Sequence, residues 1–156
     1  MLSNLVTDRT AENVNKIKEL SQLRYQDMTS EQRQEWIDNL KGCYLYTDLN
    51  RVEEAVEYVG NKIRAGGLKV TLRPKKVWNK TDVPRQADIQ RYLENIKAIR
   101  DVGVIMTYTP NAPTNVKINW SEANDIEQIL HDVELMLVNI TETYIYSGEV
   151  ICGGNY

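Results

Sequence analysis

YTDLNRVEEAVEYV, residues 46–59, decides how the chain is read. Leu49, Val52, Val56 and Val59, continued by Ile63, fall at the three- and four-residue spacings that put apolar side chains on one helix face. Its core, DLNRVEEAV, recurs in weaker form as DIQRYLENI from Asp88 and DIEQILHDV from Asp125. The starts are roughly 40 residues apart, a period that suits one helix and its connection. An acidic residue near the positive amino-terminal end of a helix, followed by an apolar stripe, is what an amphipathic helix needs. The pattern therefore predicts three packed helices and does not establish a solenoid, because the linkers differ in length, proline content and predicted strand content.

Working outward, Thr10 predicts the cap of a first helix reaching Tyr25, with Val14, Ile17 and Leu20 inward. Thr29-Ser-Glu-Gln32 has capping-box spacing and opens a second helix over 30–41, stopped at Gly42. The quoted stretch, capped by Thr47 or Asp48, runs over 48–65 to Gly66-Gly67. Pro84 at a first helical position opens a fourth helix over 84–102, ended by Gly103. Ser121 is the expected cap of the last, over 121–141. Its stripe is Ile126, Ile129, Leu130, Val133, Met136, Leu137 and Ile140, and Leu135 and Val138 lie off it on a second face. Val52, Val56, Leu93, Ile96, Ile129 and Val133 are the expected core.

Two segments alternate apolar and polar residues instead: residues 68–73, LKVTLR, and the carboxy-terminal tail TYIYSGEVICGGNY. The expected architecture is mainly α, a single domain over residues 1–156 with four to five helices. A small β patch is expected from 68–73 and the tail.

Composition narrows the function. The 19 basic and 22 acidic residues leave a net charge of −3, without the basic field a phosphate backbone requires, so no nucleic-acid partner is expected. No run is long and apolar enough for a membrane span, and MLSNLVTDRT has no signal-peptide character. A soluble chain follows, and the three Asn-x-Ser/Thr sequons are read as chance. Cys43 and Cys152 form no metal or redox motif and are expected as buried free thiols, and His131 stands alone on a helix face. No cofactor, metal or catalytic constellation is predicted, and Glu53, Glu54 and Glu57 are read as a solvated face offset by Arg51 and Lys62. Phe is absent while Tyr occurs nine times and Trp three times. Trp36 and Trp120, at helix edges, are expected to pack in the core or against a cap. Trp78, flanked by Lys75, Lys76 and Lys80, is the expected exposed, ligand-facing aromatic.

TDRTAENV, MTSEQRQEWIDNLKGCYLYTDLNRVEEAVEYV, TDVPRQADIQRYLENIKAIR and ANDIEQILHDVELML together resemble a domain encoded in prophages of Gram-positive gut bacteria. Such proteins are tail- or baseplate-associated virion components, and DLNRVEE is similar to a DLNxIE element near the starts of many phage tail and receptor-binding proteins. The resemblance covers nearly the whole chain and supplies no catalytic residues. It implies a non-enzymatic structural component of a tail or baseplate, present in the bacterial cytoplasm before assembly and packing against itself or other virion tail proteins. Leu135 and Val138 are the interface candidates. The alternative is a recognition module binding host cell-wall carbohydrate through Trp78 and the tyrosines.

Overall fold

The computed structural model describes residues 2–151, with side chains through 143. Five helices follow in order: α1 Ala11–Leu20, α2 Ser30–Asp38, α3 Tyr46–Ala65, α4 Gln86–Arg100 and α5 Trp120–Ile151. Short 3-10 turns at Tyr25–Asp27 and Leu40–Gly42 flank α2. Helix accounts for 59% of the chain and the described residues contain no strand, so the fold is mainly α.

The caps explain where the repeats begin. Thr10 and Thr29 make reciprocal capping boxes with Asn13 and Gln32. Asp48 and Asp88 instead occupy the third helical position and accept the backbone N–H of Leu45 and Arg85, at 2.7 and 3.0 Å. In α5 that position belongs to Glu122, which accepts from Asn119 N–H at 2.8 Å, while Asn119 Oδ1 receives the N–H groups of Ser121 and Glu122. Asp125 thus sits a turn further in, and Asn119, not Ser121, is the cap. Only two of the three recurrences are positionally equivalent. Gly67 and Gly103, at φ +80° and +85°, take the left-handed backbone that terminates α3 and α4.

The core forms where α3, α4 and α5 face one another. Val52, Val56, Leu93, Ile96, Ile129 and Val133 are all buried, as their spacing requires. Each contributes about 1.5–3 kcal/mol on burial. Pairs such as Arg51–Glu127 and Tyr58–Glu134 rise together along α3 and α5, so these two helices run parallel.

The expected β patch is not formed. Residues 68–73 form no strand, yet their alternation is real, with Val70 and Leu72 packed on the core and Lys69, Thr71 and Arg73 outward. Their backbone, however, is bonded to helix side chains. Arg73 N–H donates to Asn95 Oδ1 at 2.9 Å and the Val70 carbonyl accepts from Arg64 at 3.3 Å. The tail does not supply a partner strand, because α5 continues through Ser147-Gly148 to Ile151. Extending a formed helix gains one hydrogen bond per residue fixed, whereas an isolated two-stranded patch is marginal. Gly153-Gly154 and Cys152 lie outside the described residues.

Candidate interaction surface

Three acidic side chains of α5, Glu127, Asp132 and Glu134, are buried. Glu127 accepts from Arg9 Nη2 at 2.7 Å, from Arg51 Nη2 at 2.8 Å and Nε at 3.0 Å, and from Val6 N–H at 2.7 Å. Asp48 shares both arginines, at 3.2 and 2.5 Å. The Arg9 guanidinium also stands over the Tyr44 ring, 5.3 Å from its centroid. Glu134 accepts from Leu2 N–H at 2.6 Å, Tyr58 hydroxyl at 2.9 Å and Lys62 at 3.2 Å. Asp132 accepts from Thr109 at 2.8 Å. Carboxylates so fully paired tie segments together; none is placed as a free acid opposite a nucleophile.

Glu134 nonetheless gives the fold a pH dependence. Burial raises its pKa, but the Leu2 N–H, Tyr58 hydroxyl and Lys62 ammonium outweigh burial and hold it below its ordinary 4.5. A carboxylate depressed in the folded state stabilises fully above about pH 4.5 and loses that contribution as pH falls through the folded value. Amide protection in residues 2–6 is therefore expected to fall in this acid window, and Glu134→Gln is expected to remove the transition. Hydrogen exchange corrected for intrinsic rate checks this.

The solvated face read at Glu53, Glu54 and Glu57 needs one correction. Glu54 and Glu57 are exposed, but Glu53 is 2% exposed and bound by both terminal nitrogens of Arg91, at 2.6 and 3.3 Å. Arg91 also donates to the Arg73 carbonyl, joining α3, α4 and the 68–73 segment. Arg51 and Lys62 are committed to α5.

Trp78 also departs from expectation. It is 2% exposed and belongs to the core, so it offers no ring face to a sugar. Asn50 of α3 clamps its backbone at both ends, accepting from its N–H at 2.6 Å and donating to its carbonyl at 2.9 Å. Lys75 lies over the ring, 3.5 Å from its centroid, and is itself paired with Asp82 at 3.1 Å. Neighbouring lysines are compatible with burial, because their stems cover apolar surface while the ammonium stays near water. Trp36 is half-buried, and Trp120 is exposed at the rim of a groove of about 370 Å³ that also involves Arg9, Lys18, Cys43 and Tyr44. Burial and then the Asp48 charge push the Cys43 thiol up, away from the reactive thiolate. His131 is 43% exposed, with Nδ1 3.3 Å from Asp132. Among the described residues no group of three or more His, Cys, Asp or Glu is placed to hold a metal ion. No described helix is long and apolar enough to cross a membrane.

An open, mainly apolar groove lies where α3 stops beside α5. Ala65, Gly66 and Leu68 face Leu137, Val138, Ile140 and Thr141 across a groove of about 470 Å³, with Lys62 and Glu142 at its edge. Of the two interface candidates both are half-buried, and only Val138 lines this groove. Ile140, which the periodicity put on the core stripe, is 48% exposed, because α3 ends at Ala65 and among the described residues does not continue alongside that turn. Ile140 and Leu68 are the surface residues that periodicity missed; recognising that α5 outlasts α3 would have found them. No protein-family model, curated protein or solved structure matches this chain.

Proposed function

We propose that the chain is a non-enzymatic packing module of a phage or prophage-derived tail or baseplate, joining copies of itself or a neighbouring tail subunit through the distal half of α5. The observation that carries this is the overrun of α5. At 1.5 Å per residue its 32 residues span about 48 Å, against about 30 Å for the 20 residues of α3. Residues 143–151 continue beyond the level at which α3 ends, directly past the Leu68–Val138–Ile140 groove. A helical segment of that length is marginal in water without packing, so a partner that covers groove and projection together stabilises both. The resemblance to prophage tail proteins supplies the kind of assembly in which such a module sits. A symmetric pairing of two α5 ends is the simplest arrangement, because one patch then serves both copies.

Light scattering at tens of micromolar is expected to give an oligomer, and Val138→Glu with Ile140→Glu is expected to reduce it to a monomer with helical content nearly unchanged. A monomer before mutation would rule out self-association and leave only a different tail subunit as partner. Absence of the chain from purified particles would remove the virion assignment.

A further inference from the structure

Three buried donors among the described residues have no acceptor: Arg9 Nε, Trp78 Nε1 and Asn95 Nδ2. Asn95 is already anchored through Oδ1, which accepts the Arg73 N–H, and Trp78 borders a cavity of about 500 Å³ that carries carboxylates of its own, Asp82 and Asp88. Arg9 differs on both counts. It is the charged one of the three, 3% exposed, and the groove of about 370 Å³ that it lines offers no carboxylate among the described residues. Its other nitrogens are engaged: Nη1 donates to the Val6 carbonyl at 2.6 Å, and Nη2 to Glu127 and Asp48 at 2.7 and 3.2 Å. A buried donor left unmet on a charged group is unfavourable, so an acceptor at Nε gains more than one offered to a solvated arginine.

The charge around the groove has one sign. Behind its wall, Arg9 and Arg51 are balanced by Asp48 and Glu127, a neutral set. In front, Lys18 is exposed and enters no ion pair among the described residues. The amino-terminal end of α5 adds a partial positive charge; its Ser121 and Glu122 N–H groups are taken by Asn119, so it contributes a field more than a hydrogen bond. The Cys43 thiol, held protonated by burial and then by the Asp48 charge, adds no anion. The rest of the lining is apolar or aromatic, with Val14, Ile118 and Ala123 beside the exposed ring of Trp120. The groove is also tightly framed: a Cβ at Gly42 would fall 2.5 Å from the Asn13 carbonyl, so only glycine lets this turn close against α1.

We infer that this groove binds an organic acid: one carboxylate, received by Arg9 Nε–H and Lys18, on an aromatic or branched apolar body seated against Val14, Ile118 and Trp120. Two cations without a facing carboxylate select the negative head, and apolar walls with few polar groups are what small-ligand sites of this volume present. The same chemistry is carried by a free aromatic acid and by the terminal carboxylate of a polypeptide ending in a large apolar residue. The site lies roughly 20 Å along α5 from the Leu68–Val138–Ile140 groove, so it stands or falls independently of self-packing.

Titration of 2-naphthoate into the unmutated, ¹⁵N-labelled full chain tests this, with 2-naphthamide as the uncharged probe of the same shape. Saturable binding is expected for the acid, with a dissociation constant on the order of 0.1–1 mM for a probe of this size. The amide is expected to bind about tenfold more weakly or worse. The Arg9 Nε–H resonance is expected to move downfield as the acid saturates, because its proton gains a carboxylate acceptor. Lys18→Gln and Trp120→Ala, both at exposed positions, should each weaken the acid by about tenfold while leaving the fold intact. A dipeptide ending in tryptophan, with free and with amidated carboxyl, extends the comparison: tighter binding of its free form than of 2-naphthoate assigns the site to a polypeptide end, the reverse order to a free acid. Absence of saturable binding by both acids, equal binding of acid and amide, or an Arg9 Nε–H resonance that stays in place at saturation would overturn the inference.

Discussion

Glu127→Ala is expected to destabilise the fold by about 3–5 kcal/mol, the cost of removing one member of a buried, hydrogen-bonded ion set. Glu127 is 0% exposed and receives Arg9, Arg51 and the Val6 N–H. Its loss leaves Asp48 to balance two arginines and strands the Val6 N–H. In a chain of this size each kcal/mol shifts the melting temperature by roughly 2–4 °C, so calorimetry should see a fall on the order of 10 °C. A drop near that of an exposed pair, below about 1 kcal/mol, would mean that the network is far more hydrated than its burial indicates.

Trp78→Ala is expected to cost a similar amount, about 3–5 kcal/mol, because it empties the largest fully buried side chain of the molecule's described core. It also withdraws the ring beneath Lys75. Trp120→Ala, at an exposed position, should change stability by about 0.5 kcal/mol or less. Urea unfolding of the two variants side by side checks the contrast. Equal, small effects would place Trp78 at the surface after all.

The contrast between the tryptophans shows what local sequence encodes. Helix positions and the six core residues were legible because a 3.6-residue period is written in the apolar spacing itself. Glu53 was not, because its burial depends on Arg91, 38 positions away, and the same holds for Glu127 and Arg9, separated by 118. Periodicity around one helix carries no information on a partner cation elsewhere in the chain. Trp78 was misplaced for a related reason: its setting among lysines is local, while Asn50, which draws its backbone inward, is not.

The candidate surface was half legible. The excess of apolar faces on α5 pointed to a second partner, and Val138 is on the groove. Alternating Tyr, Ile and Val in the tail pointed to strands, which cut α5 short at 141 and hid its overrun. β-propensity of such residues reflects the surface they can pack on more than an intrinsic backbone preference. With residues 68–73 already bonded to helix side chains, the described fold offers the tail no ladder to join, and the helix continues to Ile151.

Amide hydrogen exchange along residues 142–151, measured at concentrations above and below association, tests the packing role of α5 most directly. Covered by another subunit, this end of the helix is expected to exchange slowly in the concentrated sample and to lose that protection on dilution, while α3 and α4 remain unchanged. Equally fast exchange at both concentrations, with particle mass that of one chain throughout, would contradict it.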